Sequence, residues 1–304
     1  MITFEKIVAV VLAGGIKQFS FGEFWHQLED LFSYREWYFR RGYKSLKEIK
    51  ATRGVGGKPK PMVEYILNTL KNTKEIDRII VVGPEKEMRE KIDPDLLSVD
   101  SNIEFIQQKE SFGRNVKTGY NHAGEKYVLF VTSDSPTTRE DDVSEFIGIC
   151  RELSNKYEWI YPLVKESLLK RYYRLFPRPY FRMAPDNIFP DDYIDEEEVR
   201  EDGRVGFRIT SMAFANLENL PAERIDEAYN LRKLYRRSSR DKLKTIFGEK
   251  LIRRYRQGLK MSELEKMVSD YEGLRLKFVG LSGPGTSLDL DSRRDEKKFN
   301  KLHL

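Results

Sequence analysis

Ile7-Val8-Ala9-Val10-Val11-Leu12-Ala13-Gly14-Gly15 is the stretch that decides the fold. An apolar, largely β-branched run without a polar interruption ends in two glycines. A strand with one wet face alternates apolar and polar residues. A continuous run instead predicts a strand buried on both faces, as in a parallel sheet covered by helices above and below. Glycines directly after it let the chain turn tightly and bring backbone N–H groups close to a phosphate or a base edge. The turn is not G-x-G-x-x-G and no G-K-[ST] follows, which excludes a dinucleotide fingerprint and a P-loop.

The same alternation continues outward. Met62, Ile66, Leu67 and Leu70 mark a helix entered through Pro61. Ile79–Gly83 is a second buried strand, Met88–Ile92 a short helix, and Ile103–Ile106 a third strand. Asn115–His122 has helical character despite Gly119. Tyr127–Val131 is a fourth strand and Asp141–Leu153 a helix. Strands alternating with helices over about 150 residues predict a doubly wound α/β half with a mostly parallel sheet. Ile160–Val164, Val205–Leu217 and Leu274–Val279 are expected to add strands, residues 222–270 to form a basic helical subregion, and Leu288–Asp291 to close the sheet before a last helix, Asp295–Leu302. Length allows one large α/β domain or two smaller ones, and residues 16–56 read as an insertion or lid after the glycine turn.

Composition narrows the chemistry. Lys and Arg number 54 against 49 Asp and Glu, a net +5 that is small for so many charges and does not by itself argue for nucleic acid, which is not expected as the partner. A single cysteine, Cys150, excludes an intrachain disulfide framework and a Cys-rich zinc module. His26, His122 and His303 show no metal-ligand spacing, so any metal is expected on carboxylates, as Mg²⁺ or Mn²⁺. No apolar run approaches the roughly 20 residues of a membrane span, and a cytoplasmic protein is expected. A homo-oligomer stays open.

Two acidic motifs stand where ligands bind in open α/β sheets. Thr132-Ser133-Asp134-Ser135-Pro136 ends the fourth strand, and Asp134 is placed either to hold a divalent metal or to cap the next helix. In Leu288-Asp289-Leu290-Asp291-Ser292-Arg293-Arg294-Asp295, strand alternation sets Asp289 and Asp291 on one face, where one of them, with Asp289 preferred, meets Asp134. Asp295 is expected to serve the dipole of the last helix. Lys58 and Lys60 open the helix at Met62, and Lys44 and Lys50 lie upstream, each a surface lysine or a phosphate ligand.

Taken in order, "VLAGG" (Val11–Gly15), "GKPKPMVEYILNTL" (Gly57–Leu70), "VTSDSP" (Val131–Pro136) and "DLDSRRD" (Asp289–Asp295) resemble the GT-A-type nucleotidyltransferases, in particular the molybdenum-cofactor-guanylyltransferase-like NTP transferases. The resemblance implies a single α/β, Rossmann-like three-layer α/β/α domain over residues 1–304, with a mostly parallel sheet and a helical C-terminal region. It also implies attack of a phosphorylated small molecule, such as a sugar 1-phosphate, on the α-phosphate of an NTP with release of pyrophosphate. It implies Leu12, Ala13, Gly14 and Gly15 at the nucleotide, with Gly113 and Asn115 in the base-selecting loop Ser111–Asn115. It implies Asp134 with Asp289 or Asp291 on Mg²⁺. The family lysine corresponds either to Lys44, in Lys44-Ser45-Leu46, or to Lys58.

The chain departs from the pattern after Gly15, where no arginine occurs until Arg35 and about 40 residues carrying Trp25, His26, Trp37, Arg40 and Arg41 precede Gly57. Two rival readings follow. A GT-A glycosyltransferase normally shows D-x-D directly after the central strand, where this chain has Ser133-Asp134-Ser135. A non-catalytic nucleotide-binding or interaction module would act through the basic C-terminal half.

Overall fold

The computed structural model describes residues 6–14, 43–49, 58–98, 101–173, 180–184, 186, 194–227, 229, 253–255, 257–291 and 293–299. Its centre is β1 (Ile7–Leu12), flanked by parallel β4 (Ile76–Gly83) and parallel β6 (Val128–Thr132), with β5 (Ile103–Gln107) outside β4. Beyond β6 the sheet becomes mixed. Strand β10 (Met212–Ala215) runs antiparallel between β6 and β7 (Trp159–Lys165). β7 carries antiparallel β9 (Val205–Ile209) and then β8 (Phe181–Met183), and pairs in parallel with β11 (Leu276–Gly280). The nine strands make one mixed, mostly parallel sheet, while β2 (Glu48–Ile49) and β3 (Lys60–Pro61) form a separate small ribbon.

Burial explains the uninterrupted apolar run. Ile7, Ala9 and Val11 of β1 enter one core cluster, and Val8 and Val10 enter another on the opposite face. Neither face of the strand meets water, so neither set of alternate positions tolerates a charge. The first face is covered by α1 (Met62–Asn72), α2 (Glu85–Lys91), α4 (Glu140–Leu153) and Phe299 of α7 (Arg293–Phe299), and the second by α3 (Phe112–Ala123) with Leu217, Leu220 and Ile225. A third cluster joins Leu163, Phe207 and Phe278 to residues near α6 (Met261–Glu272), leaving α5 (Glu166–Tyr173) beside β7 and β9. The α/β/α layering and mostly parallel sheet agree with the sequence expectation. Cys150 is fully buried, and burial pushes its thiol pKa up, so it packs as an apolar side chain.

Two expectations are corrected. Leu288–Asp291 is no strand: it is tied to the sheet's edge by the Leu290 N–H, which donates to the Asp134 carbonyl at 2.9 Å. The last helix starts earlier, at Arg293, and is described to Phe299. Of the expected basic subregion, residues 222–227, 253–255 and 261–272 are helical. Gly15, the lid residues 16–42 with Trp25, His26, Trp37, Arg40 and Arg41, residues 50–57, and the basic run 230–252 lie outside the described residues. Among the described residues no helix is long and apolar enough to cross a membrane.

Gly119 weakened the reading of α3 as a helix, and the structure shows why glycine stands there. A Cβ at Gly119 would lie 2.5 Å from Val10 Cγ1 and 3.1 Å from Val82 Cγ2, so the residue lets the helix settle onto the sheet. Gly148 in α4 has nothing within 4 Å of the same position. One substitution should therefore act with opposite signs at the two sites. Gly119→Ala is expected to lose about 1–2 kcal/mol, overpacking outweighing the gain in helix propensity. Gly148→Ala is expected to gain about 0.5–1 kcal/mol. Denaturant unfolding midpoints check both.

Candidate active site

The carboxyl ends of β1, β4, β6 and β7 share one edge of the sheet. There the chain turns at Ala13 and Gly14. Ala13 is buried and its backbone is committed, the N–H donating to the Val82 carbonyl at 3.0 Å and the carbonyl accepting from Ser45 Oγ at 2.7 Å. Gly14 is exposed; a Cβ there would meet Gln108 Oε1 at 2.6 Å, with Asn115 Nδ2 at 3.5 Å. Asn115 is oriented through its Oδ1, which accepts from the Lys109 N–H at 2.6 Å. Leu12, Ala13, Gly14 and Asn115 thus come together. Gly113 does not join them. Its N–H donates to Asp226 Oδ1 at 2.7 Å, and a Cβ on it would lie 2.0 Å from the Ala222 carbonyl oxygen. Ser111 caps α3 and donates to the other oxygen of Asp226, so the helical residues 222–227 cover the start of α3.

The single turn Lys44–Leu46 is fixed beside the glycine turn by Ser45 and by Leu46, which is buried in the core. This anchoring aims Lys44 at the end of β6. Its Nζ donates to Asp134 Oδ2 at 2.8 Å and to Asp291 Oδ1 at 2.7 Å. All three side chains keep about a quarter to a third of their surface exposed. Thr132 Oγ1 donates to the second Asp134 oxygen at 2.5 Å. Lys58, the other candidate lysine, is exposed two residues before β3.

The unpaired 288–291 segment still alternates. Leu288 and Leu290 are buried, leaving Asp289, largely buried, and Asp291, about a third exposed, on the site side. The two acids divide the work. Asp291, not the preferred Asp289, shares Lys44 with Asp134; Asp289 is bound by Arg208, whose Nε also donates to the Ser287 carbonyl at 2.7 Å. Sequence reading gave Arg208 no role. Its signal was a lone cation in the otherwise apolar run Val205–Ile209. Asp295 accepts from the Asp291 N–H at 3.2 Å in the first turn of α7, the position expected for it.

The charges are set by contact. Burial alone would lower the Lys44 pKa, but Asp134 and Asp291 more than offset it and raise it. Burial would raise both carboxylates, yet the Lys44 charge holds each below the usual range, against a raising contribution from Asp289 at Asp134. The lysine is charged and both acids are ionised at neutral pH. Among the described residues no three His, Cys, Asp or Glu side chains stand as a ready metal-ligand set. The cation between Asp134 and Asp291 is the Lys44 ammonium.

No family model matches the chain, and no curated protein does. Among solved structures it is similar to a hypothetical transferase from Thermus thermophilus, at 18% identity and a TM-score of 0.63 over 96% of this chain and 99% of that one. It is also similar to CMP:2-keto-3-deoxy-manno-octonic acid synthetase complexed with CTP, at 10% identity and a TM-score of 0.54 over 98% of each chain. These likenesses show a shared Rossmann-like α/β fold extending over nearly the whole length.

The loop that delivers Asp289 and Asp291 packs on a buried carboxylate. Gly283 and Gly285 leave no room for a Cβ beside Asp142, whose Oδ2 accepts from the Arg139 N–H at 3.0 Å. Burial pushes the Asp142 pKa up to about 6. A raised acid stabilises the fold fully only below its unfolded pKa, so wild-type stability is expected to fall as pH rises from about 4 through 6, by roughly 2–3 kcal/mol from this group. Asp142→Asn should remove that slope. Unfolding free energies of both proteins between pH 4 and 8 test this; parallel profiles would refute it.

Proposed function

We propose that the chain is a nucleotidyltransferase, moving an NMP from an NTP to a phosphorylated small-molecule acceptor, a sugar 1-phosphate or a related compound, with release of pyrophosphate. The observation that carries the reading is the meeting of Lys44, Asp134 and Asp291 beside the exposed Gly14 turn. The ordered motifs support membership of the molybdenum-cofactor-guanylyltransferase-like NTP transferases, and the fold shared with a synthetase solved with CTP supports an NTP as donor. The second carboxylate at Asp134 comes from the 288–291 segment, not from a D-x-D after the central strand, which favours this reading over a glycosyltransferase.

In the reaction an acceptor phosphate oxygen attacks the α-phosphorus, and the bond to the α–β bridging oxygen breaks, its electron pair leaving on pyrophosphate. The acceptor phosphate is already ionised, so no side chain has to remove a proton. Positioning and charge neutralisation do the rest, as a site of one lysine and several carboxylates allows. The open backbone at Gly14, with Asn115 beside it, receives the nucleotide. The Lys44 ammonium, held next to that turn by Ser45, neutralises phosphate oxygens. Asp134 and Asp291, with Asp289 adjacent, would hold Mg²⁺ or Mn²⁺; they fit it because they are ionised hard oxygen donors that already flank a cation. When bound, the metal draws off charge developing on the transferred phosphate and the leaving group. Arg208 keeps Asp289 in place through the Ser287 carbonyl.

Thermal unfolding with each of the four NTPs and Mg²⁺ should show a raised midpoint for one base. Binding at a hundred times Kd adds about 2.7 kcal/mol. With that NTP and a panel of sugar 1-phosphates, Asp134→Asn is expected to lower pyrophosphate release by about a hundredfold or more, with the circular dichroism spectrum unchanged. Undiminished release in the variant, or no shift with any NTP, overturns the proposal.

A further inference from the structure

The Lys44 ammonium occupies the space between Asp134 and Asp291, at 2.8 and 2.7 Å, where a divalent cation bridging the same two carboxylates would have to sit. Two cations do not share that space, since like charges a few ångströms apart repel strongly in a half-buried site. The lysine also has somewhere else to go. Its backbone is pinned by the Ser45 hydroxyl on the Ala13 carbonyl and by buried Leu46, so the Cα stays beside the Gly14 turn. Its four-carbon stem lets the ammonium swing over several ångströms without moving that anchor.

Resting on the nucleotidyltransferase reading, we infer that Lys44 is the resident counter-ion of the carboxylate site and that lysine and divalent metal occupy Asp134 and Asp291 in turn. The triphosphate draws the ammonium across to the Gly14 turn, and the vacated carboxylates take the metal. Metal binding is therefore weak without nucleotide and strengthened by it, and by linkage the metal strengthens nucleotide binding by the same factor. The device keeps adjacent carboxylates ionised at rest without recruiting a metal before the nucleotide arrives.

The test is Mn²⁺ alone, titrated into the full chain without nucleotide and followed by electron paramagnetic resonance or calorimetry. Lys44→Met removes the competing charge and is expected to bind Mn²⁺ at least about tenfold more tightly than wild type, and Lys44→Met with Asp134→Asn to lose that gain. Lys44→Gln, which keeps a hydrogen-bond donor towards the carboxylates, repeats the test should the methionine variant fold poorly. Equal or weaker Mn²⁺ binding in the lysine variants, with binding still abolished by Asp134→Asn, overturns the exchange and leaves the carboxylates as metal ligands. Absence of any Asp134-dependent Mn²⁺ binding in every variant overturns the metal role itself, and the exchange with it.

Discussion

The contact between one ammonium and two carboxylates organises the candidate site. Lys44 lies 90 residues from Asp134 and 247 from Asp291, and each of the three is delivered by a separate device: a one-turn helix pinned by Ser45, the end of a central strand, and an extended segment tied to that strand end by the Leu290 N–H. Carboxylates this close resist joint ionisation unless a cation lies between them, because each raises the other's pKa. Lys44 supplies that cation, and Arg208 supplies another for Asp289. Among these five side chains negative charge still exceeds positive by one, which suits a site that must accept further positive charge.

The C-terminal half contributes to the site through the antiparallel strands β9 and β10. Because β10 slots antiparallel between β6 and β7, the preceding strand β9 lies along the carboxyl end of β7, and Arg208 faces Val164 there. From that position it grips Ser287 and Asp289. The backbone carries the same connection: the Thr132 N–H donates to the Ser211 carbonyl, and the Ser211 N–H to the Thr286 carbonyl. β6, β10 and the 285–291 segment are thus locked together behind the carboxylates. The first 150 residues alone would present Asp134 with Lys44 but without Asp289, Asp291 and Arg208.

What was legible in the sequence follows from how local each cause is. The run Ile7–Leu12 announced a strand covered on both faces because two-sided burial leaves no position for a polar residue. Leu288 and Leu290 placed Asp289 and Asp291 on a common side even though no strand forms, because burial of alternate residues needs no hydrogen-bonded partner. The finer choices rested on distant groups. Asp291 rather than Asp289 meets Lys44 because Arg208, 81 residues away, claims Asp289. Lys44 rather than Lys58 reaches Asp134 because Ser45 finds the Ala13 carbonyl. Gly113 turns away from the glycine turn because Asp226 takes its N–H, a contact across 113 residues that no local pattern announces.

The two cations of the cluster differ in kind, and the difference matches what each position requires. Arg208 makes two contacts at once, with a carbonyl and a carboxylate, in a pocket where both it and Asp289 are largely buried. A planar guanidinium with donors in a fixed fork suits a bond that is to stay made. Lys44 is a compact point charge on a flexible stem, more exposed, bridging two acids from a backbone anchored beside the glycine turn. An arginine there would lock the carboxylates as Arg208 locks Asp289. A lysine holds them ionised while remaining able to follow a stronger field. The site therefore separates its permanent scaffold, Arg208 with Asp289, from its exchangeable charge, Lys44 with Asp134 and Asp291, and it is the exchangeable set that lies against the open backbone at Gly14.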